Sequence, residues 1–254
     1  MSKVLLSAVV LAKNEEENIK KCLNRLMWCD EIVVIDDFST DGTTKIAKQF
    51  QARVYKRKLG GDFASQRNFA LRKAKFDWVL FIDADELVSK KLAREIRMKT
   101  ENDRGEYSSY SVKRVDIVYG KKLTGGEHGS QHIVRLVKRN HGQFVRSVHE
   151  YWVGRGKTGR LQNVLFHHPL SSLSSYLLKQ ASYSRLHAGE KLKEGGRSSL
   201  FKILFYPVLK FLHNYIVRHG NKDGVCGLVV SMFMSFHSFL SWSTVYLKQD
   251  DKQV

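Results

Sequence analysis

The chain is short of cysteine and of acidic residues, and it contains no internal repeat and no low-complexity linker. Three cysteines in 254 residues, Cys22, Cys29 and Cys226, are too few and too scattered for a disulfide framework or a thiolate zinc site. A reducing compartment is therefore the default. Asp and Glu number 25 against 43 Lys and Arg, a formal net charge of +18. That excess favours an anionic partner: nucleic acid, phosphorylated lipid or a membrane surface. Nucleic acid is disfavoured, because neither a helix-turn-helix nor an RNA-binding sheet motif is legible and the basic residues are spread along the chain. An early Gly-rich phosphate loop bearing Lys or Arg is also missing. "LAKNEEEN" is not one, which argues against a nucleotidyltransferase.

What is present is a hydrophobic fraction of 43%, enough in a chain of this length for one large domain and an appendage. The apolar run Val4 to Ala12 follows one Lys and could pass for a short signal core. A first strand is the better reading, because "KNEEEN" follows with helix-start character and no cleavage site.

The first hundred residues alternate strands and helices. "LLSAVVLA" reads as a strand buried on both faces. Asn14 can cap a helix after it, with Glu15 to Glu17 in the first turn and Ile19, Cys22, Leu23 and Leu26 on one face. "EIVVID" is a second strand, "STDGTTKIAKQF" a helix with Ile46, Ala47 and Phe50 inward, and "ARVYK" a third strand. "DFASQRNFALRKA" is a third helix and "WVLFID" a fourth strand. This order predicts an α/β fold, a Rossmann-like, mostly parallel sheet flanked by helices. Further on, a helix is expected near Lys90 to Lys99. Strands are expected at "YSSYSVKRVDIVYG", "HIVRLVKR" and "RLQNVLFHH", the last two as candidate antiparallel partners, then a long polar helix over Leu173 to Lys193.

The tail differs in kind. Val225 to Leu247 holds no Asp, Glu, Lys or Arg and is long enough to cross a bilayer as a helix, although five Ser, one Thr and His237 dilute it. Before it, "LFKILFYPVLKFLHNYIVRHG" mixes apolar residues with Lys202, Lys210 and Arg218, as an interfacial helix on anionic lipid would. The alternative is a helical hairpin packed on the domain itself. Surface attachment is expected ahead of a full span. The boundaries expected are an α/β domain over 1–170, a helical element over 171–198, and a helical, membrane-associating segment over 199–254.

Ligands of parallel α/β sheets sit outside the carboxyl ends of the strands. Three such ends carry acidic or polar groups: Asn14 and Glu15, Asp36 and Asp37, and Asp83 and Asp85. Side chains two apart on an extended segment share a face. Asp83 and Asp85 should therefore repel unless a divalent cation such as Mg²⁺ or Mn²⁺ sits between or beside them. The plainer alternative is that one carboxylate caps the next helix. A carboxylate at Asp36, the last buried strand position, could accept the ring N–H of a uracil. Gly60 and Gly61 permit a flexible approach. Arg67 could bridge phosphates, pair with the aspartates, or form only a structural salt bridge.

"VVLAKNEEENI", "EIVVIDDFSTDGT", "GDFASQRNFAL" and "WVLFIDADE", in this order and spacing, resemble the family 2 inverting glycosyltransferases of the GT-A fold. The resemblance is strong over about residues 7 to 100. Downstream, "VHE" at Val148 to Glu150, "GRLQNVLFHH", "SLSSYLLKQASYS" and the tail with "DGVCGL" resemble the bacterial branch that adds sugars to the lipopolysaccharide core. The chain departs from that branch at "TGGEHGSQH", where a more aromatic acceptor loop is expected.

The resemblance implies that Ala12, Asn14, Glu15 and Asp36 hold the nucleoside, that Asp83 lies against the ribose and metal shell, and that Asp85 ligates the metal. His167 or His168 would add a ligand or touch the diphosphate; a His pair at a strand end is as often structural. Glu150 matches the branch's general base, the alternative being a surface salt bridge with Arg146. The expected activity is metal-dependent, inverting transfer from a nucleotide sugar, with UDP-glucose or a related UDP-hexose leading. The expected acceptor is a lipopolysaccharide core or other lipid-linked saccharide. The expected place is the cytoplasmic face of the inner membrane, peripheral or tail-anchored. The competing readings are a basic nucleic-acid-binding protein and a noncatalytic membrane-associated α/β protein. Intact Asp36, Asp83, Asp85 and Glu150 argue against the latter.

Overall fold

The computed structural model describes residues 4–129, 131–169 and 173–250. Its first half alternates β1 (Leu6–Ala12), α1 (Glu16–Asn24), β2 (Glu31–Asp36), α2 (Thr43–Gln49), β3 (Arg53–Lys56), α3 (Phe63–Lys73) and β4 (Trp78–Asp83). These strands stand in the order β3-β2-β1-β4, all parallel. Alternate residues of β1 feed two cores on opposite faces of the sheet. Leu6, Ala8 and Val10 pack with Ile19, Cys22, Leu23 and Leu26 on one face, while Val9 packs with Val33, Phe81 and Leu71 on the other. Burial on both faces is why these strands read as continuous apolar runs.

Two local expectations fail. Asn14 does not cap α1: its backbone is left-handed, with φ of 52°, and its Oδ1 accepts the Thr40 N–H at 2.8 Å. Glu15 holds the capping position with no side-chain hydrogen bond to the helix N-terminus. Nor does Ser39–Asp41 begin a helix. α2 starts at Thr43, whose N–H is accepted by Asp41 at 3.0 Å. Asn14 thus serves a neighbouring loop instead of its own helix, while Asp41 accepts from the first residue of α2.

The second half adds β5 (Glu86–Val88), α4 (Lys90–Glu101), β6 (Tyr107–Val118), β7 (Lys121–Lys122), β8 (Gln131–Lys138), β9 (Gly142–Val145), β10 (Tyr151–Gly154) and β11 (Lys157–His167). The sheet continues β4-β8-β6-β11-β5, with β8 antiparallel to β4 and β11 antiparallel to β5. β8 and β11, expected as possible antiparallel partners, are separated by β6. The β5–β11 register pairs His167 with Glu86. Glu95 of α4 accepts the Gln162 and Asn163 amides at 2.7 and 2.9 Å and so fixes β11. β9 and β10 form a separate antiparallel hairpin, with Glu150 just ahead of β10.

The chain divides into two compact units, residues 1–114 with 132–167, and residues 115–131 with 168–254. The boundary expected at 170–171 lies outside the described residues. The second unit holds α5 (Leu173–Lys193), α6 (Leu200–Leu212), a π-helical turn (His213–Val217), a 3₁₀ turn (Gly220–Asp223) and α7 (Val225–Lys248). α6 and α7 are long and apolar enough to associate with a membrane.

Segment 115–131 joins this unit through Asp223. The buried Asp223 carboxylate accepts Thr124 N at 2.9 Å, Thr124 Oγ1 at 2.7 Å and Gly125 N at 2.8 Å, while Lys121 Nζ donates to the Asp223 carbonyl at 2.7 Å. The contact is so close that a Cβ on Gly125 would lie 2.1 Å from the His219 carbonyl oxygen. Asp223→Ala leaves three donors without their acceptor and should weaken this attachment by about 3 kcal/mol. Hydrogen exchange checks this: protection of the Thr124 and Gly125 amides should fall roughly a hundredfold. In exposed Lys222→Ala it should stay within about threefold.

Candidate active site

β1 pairs with β2 on one side and β4 on the other, and chain order reverses direction there. The register sets Ala12 beside Asp36 and Leu11 beside Asp83, so these residues share one level at the carboxyl ends of the strands. That is the switch point where an open parallel sheet leaves a crevice. The Ala12 carbonyl accepts the Asp37 N–H at 2.9 Å.

Asp36 is fully buried. Its Oδ2 accepts the Ser39 N–H at 3.1 Å, and its Oδ1 is buried with no hydrogen-bond partner. Such an atom carries a desolvation cost that only a donor can offset. Around it the loop is stitched together. Asp37 takes Lys13 Nζ at 2.8 Å and the Leu59 N–H at 2.9 Å, Glu15 N donates to Thr43 Oγ1 at 2.8 Å, and Glu15 Oε2 accepts Asn18 Nδ2 at 2.7 Å. Asn14 and Glu15 therefore shape this end of the crevice by bracing the segment after β2. Gly60 and Gly61 both have positive φ, 60° and 80°, in the turn that follows Leu59.

At the end of β4, two arginines pair with the carboxylates of Asp83 and Glu86. Arg67, on α3, donates Nη2 to Asp83 Oδ1 at 3.1 Å and Nε to Glu150 Oε1 at 2.7 Å. Arg135, on β8, donates Nη2 to Asp83 Oδ2 at 2.5 Å and to Glu86 Oε1 at 2.6 Å, and Arg114 Nη1 lies 3.8 Å from Glu86. Glu86 Oε2 accepts the Asp83 N–H at 3.0 Å. Glu150 is thus tied into the site by Arg67. The Arg67 guanidinium lies 5.6 and 5.7 Å from the ring centres of Phe81 and Phe144, and its Nη1 is buried without a partner.

The premise that Asp83 and Asp85 share an extended face also fails. β4 ends at Asp83, and Ala84 and Asp85 form a turn. Asp85 instead faces His167, with Oδ2 and Nε2 3.4 Å apart. His168 follows β11 and belongs to the second unit. Among the described residues no group of three or more His, Cys, Asp and Glu converges as a ready metal shell.

Burial and charge set the protonation of this cluster. For Asp83, burial alone would raise the pKa, but Arg135 and Arg67 outweigh it and hold the carboxyl well below the usual range. Glu86 has no exposure; burial pushes it above the ordinary value despite Arg135. Burial opposes the charge on Arg135, and Asp83 with Glu86 more than restore it. The thiol of Cys22, whose Sγ donates to the Asp83 carbonyl at 3.8 Å, is pushed up by burial and then by Glu86, Asp85 and Asp83.

Sequence reasoning missed Arg135, Arg114 and Glu86. A signal existed in "HIVRLVK", where one Arg interrupts an apolar strand: a charge there must be paired. Arg135→Leu should destabilise the chain by about 3–5 kcal/mol, because the fully buried Glu86 loses its close cation and Asp83 keeps only Arg67. A carboxyl whose folded pKa is raised loses stability as pH rises through its unfolded value, about 4.3 for Glu. Urea titration should therefore find the deficit larger at about pH 7 than at about pH 5, and partly repaired in Arg135→Leu/Glu86→Leu.

Comparison with known proteins agrees with this geometry. The profile of glycosyl transferase family 2 matches residues 7–150, more than half of the chain. The lipopolysaccharide core biosynthesis glycosyltransferase LpsC of Rhizobium meliloti is 30% identical over 253 residues, covering 96% of this chain and 93% of the relative. An uncharacterized glycosyltransferase of Rickettsia typhi is 28% identical, covering 92% of this chain and 84% of the relative. Among solved structures, Staphylococcus aureus TarS 1-349 matches at a TM-score of 0.45 and 16% identity, over 72% of this chain and 65% of that one. The parallel sheet with its acidic strand ends, the ordered motifs and the full-length relative agree: the chain belongs to glycosyl transferase family 2 and is a glycosyltransferase.

Proposed function

We propose that the chain transfers a hexose, with inversion, from a UDP-sugar to a saccharide of the lipopolysaccharide core or to another lipid-linked saccharide, UDP-glucose being the first donor to test. The observation that carries the donor reading is the buried, unpartnered Oδ1 of Asp36 at the crevice. A uracil ring N–H is a donor of the kind that atom needs. The acceptor class is supported by the relative named for lipopolysaccharide core biosynthesis, which spans the same length of chain.

In this reading Ala12, Asn14, Glu15 and Asp36 form the nucleoside end of the crevice and Asp83 its ribose side. Arg67 holds Glu150 and Asp83 together, and its buried orphan N–H is available to the donor phosphates. Glu150 is the general base. As the acceptor oxygen bonds to the anomeric carbon, the bond from that carbon to the diphosphate oxygen breaks and its electron pair leaves with the nucleotide. The hydroxyl proton passes to a Glu150 carboxylate oxygen. No covalent sugar intermediate is needed.

Asp85 and His167 would hold a divalent cation. Their 3.4 Å separation is near the ~3 Å between adjacent ligands of one small cation, and an oxygen–nitrogen pair suits Mn²⁺ better than Mg²⁺. His167, rather than His168, is the nitrogen ligand proposed, since it faces Asp85. When bound, such a cation neutralises charge developing on the diphosphate.

Calorimetric titration of UDP, GDP and dTDP, with and without Mn²⁺, tests the donor reading. UDP should bind in a Mn²⁺-dependent way, and Asp85→Ala should lose that dependence. Asp36→Asn turns an acceptor site partly into a donor and should weaken UDP at least about tenfold. Equal binding of all three nucleotides, or none of any, sinks the assignment. Glu150→Gln should lower turnover by about 10² to 10⁴ with UDP affinity unchanged. Near-normal turnover in that variant would remove Glu150 from the mechanism.

A further inference from the structure

In the second unit the usual polarity of a surface helix is reversed. On α6 the outward residues are Phe201, Leu204, Phe205, Val208 and Leu209, all more than half exposed, with no charge among them. The cations of α6 are half-buried and held by other segments: Lys202 Nζ donates to the Arg197 carbonyl at 2.6 Å and lies 4.9 Å from the Trp242 ring centre, and Lys210 pairs with Glu127. α7 leaves Leu228, Met232, Phe236 and Phe239 outward at helical spacing. Only 11% of Leu200–Val217 and 22% of Val225–Lys248 are buried, so these are not core helices. An apolar face this long on a soluble surface calls for a covering.

Length would let α7 cross a bilayer, since 24 residues rise about 36 Å against a hydrocarbon core of about 30 Å. Its two ends forbid it. The turn between α6 and α7 is clamped by segment 115–131: Gly126 N donates to the Arg218 carbonyl at 2.8 Å, and Asp223 holds Thr124 and Gly125. That segment enters from β6 and returns into β8, strands of one sheet, so both its ends lie on one side of any membrane. Seventeen residues form two legs of eight or so, each reaching roughly 26 Å when extended, too short to cross and return, and they carry Lys121 and Lys122. The far end of α7 is tied to the start of α6, where Ser198 N donates to Gln249 Oε1 at 2.8 Å. Reaching the opposite side there would require α5 to cross with Lys179, Arg185, Glu190 and Lys191.

We infer that α6 and α7 lie along one leaflet as a monotopic hairpin, their outward residues among the acyl chains, on an anionic phospholipid surface. Charge complementarity selects the lipid. Lys121, Lys122, Arg218 and Lys222 are exposed around the clamped turn; Asp223 is buried and satisfied, and Glu127, 4.0 Å from Arg218, is paired with Lys210. Such a ring of cations beside an apolar face is what anionic headgroups over hydrocarbon would meet. This reading is independent of the sugar chemistry.

The test uses the full chain and vesicles of phosphatidylcholine with or without phosphatidylglycerol. Binding should require phosphatidylglycerol, fall roughly fivefold in Lys222→Ala, and fall roughly tenfold for each of Leu204→Ala and Phe205→Ala. Far-ultraviolet circular dichroism of these exposed-site variants should be unchanged. Asn221→Cys and Lys248→Cys, in inverted membranes from expressing cells, should both react with an impermeant thiol reagent above the background of the unsubstituted chain, without detergent. Protection of either position until detergent is added would mean a span and overturn the proposal. So would absence of vesicle binding, or a lipid-free dimer in sedimentation that Leu204→Ala and Phe205→Ala disperse, which would make a second copy the covering.

Discussion

Charge neutralisation inside the sheet is the constraint on which the first unit depends. Asp83 ends β4 half-buried and Glu86 opens β5 with no exposure, and an ionised carboxylate withdrawn from water is tolerable only beside fixed cations. Arg135 bridges the two, and Arg67 bridges Asp83 to Glu150. Each arginine comes from a different element, α3 and β8. The same contacts that make the acidic cluster affordable therefore fix the geometry between the parallel half of the sheet and its antiparallel extension. They also deliver Glu150, from the chain ahead of β10, to the mouth of the crevice.

The consequence for chemistry is a division of labour among like groups. Asp36, Asp83, Asp85, Glu86 and Glu150 are all carboxylic acids, yet their settings differ: Asp36 keeps an unpartnered oxygen, Asp83 meets both Arg67 and Arg135, Asp85 faces an imidazole, Glu86 shares Arg135 in full burial, and Glu150 shares Arg67 in a partly open position. Glu86 is structural, since it is fully buried and spans the Asp83 amide and Arg135. Asp83 is held ionised. Asp36 has capacity to spare, and that capacity is what a ligand can use.

The second unit solves the opposite problem. There the α6 cations are held and half-buried while the apolar groups face out, an arrangement that calls for a covering. The Asp223 clamp carries the topological weight, because it ties the tip of the α6–α7 hairpin to a segment of chain that both leaves and re-enters the sheet.

β1, β2 and β4 were legible because burial on both faces writes continuous apolar runs. The stripe of Ile19, Cys22, Leu23 and Leu26 was legible because it repeats at helical spacing, and all four are fully buried. Asp36 and Asp83 could be placed at strand ends, since position along a strand is a local property. α5 and α7 were likewise visible from composition and length alone. What the sequence could not disclose were partners distant along the chain. Arg135 and Asp83 are separated by 52 residues and Arg67 and Glu150 by 83, and no local pattern encodes which cation meets which carboxylate. Asn14 looked like a helix cap and instead holds Thr40; Glu150 was weighed against Arg146 and instead meets Arg67. The membrane-length tail was evident from the one-dimensional text. How the turn between α6 and α7 is held was decided only by the folding of residues 115–131 onto Asp223, because a chain's route through space, unlike its hydrophobicity, is fixed by contacts that sequence distance hides.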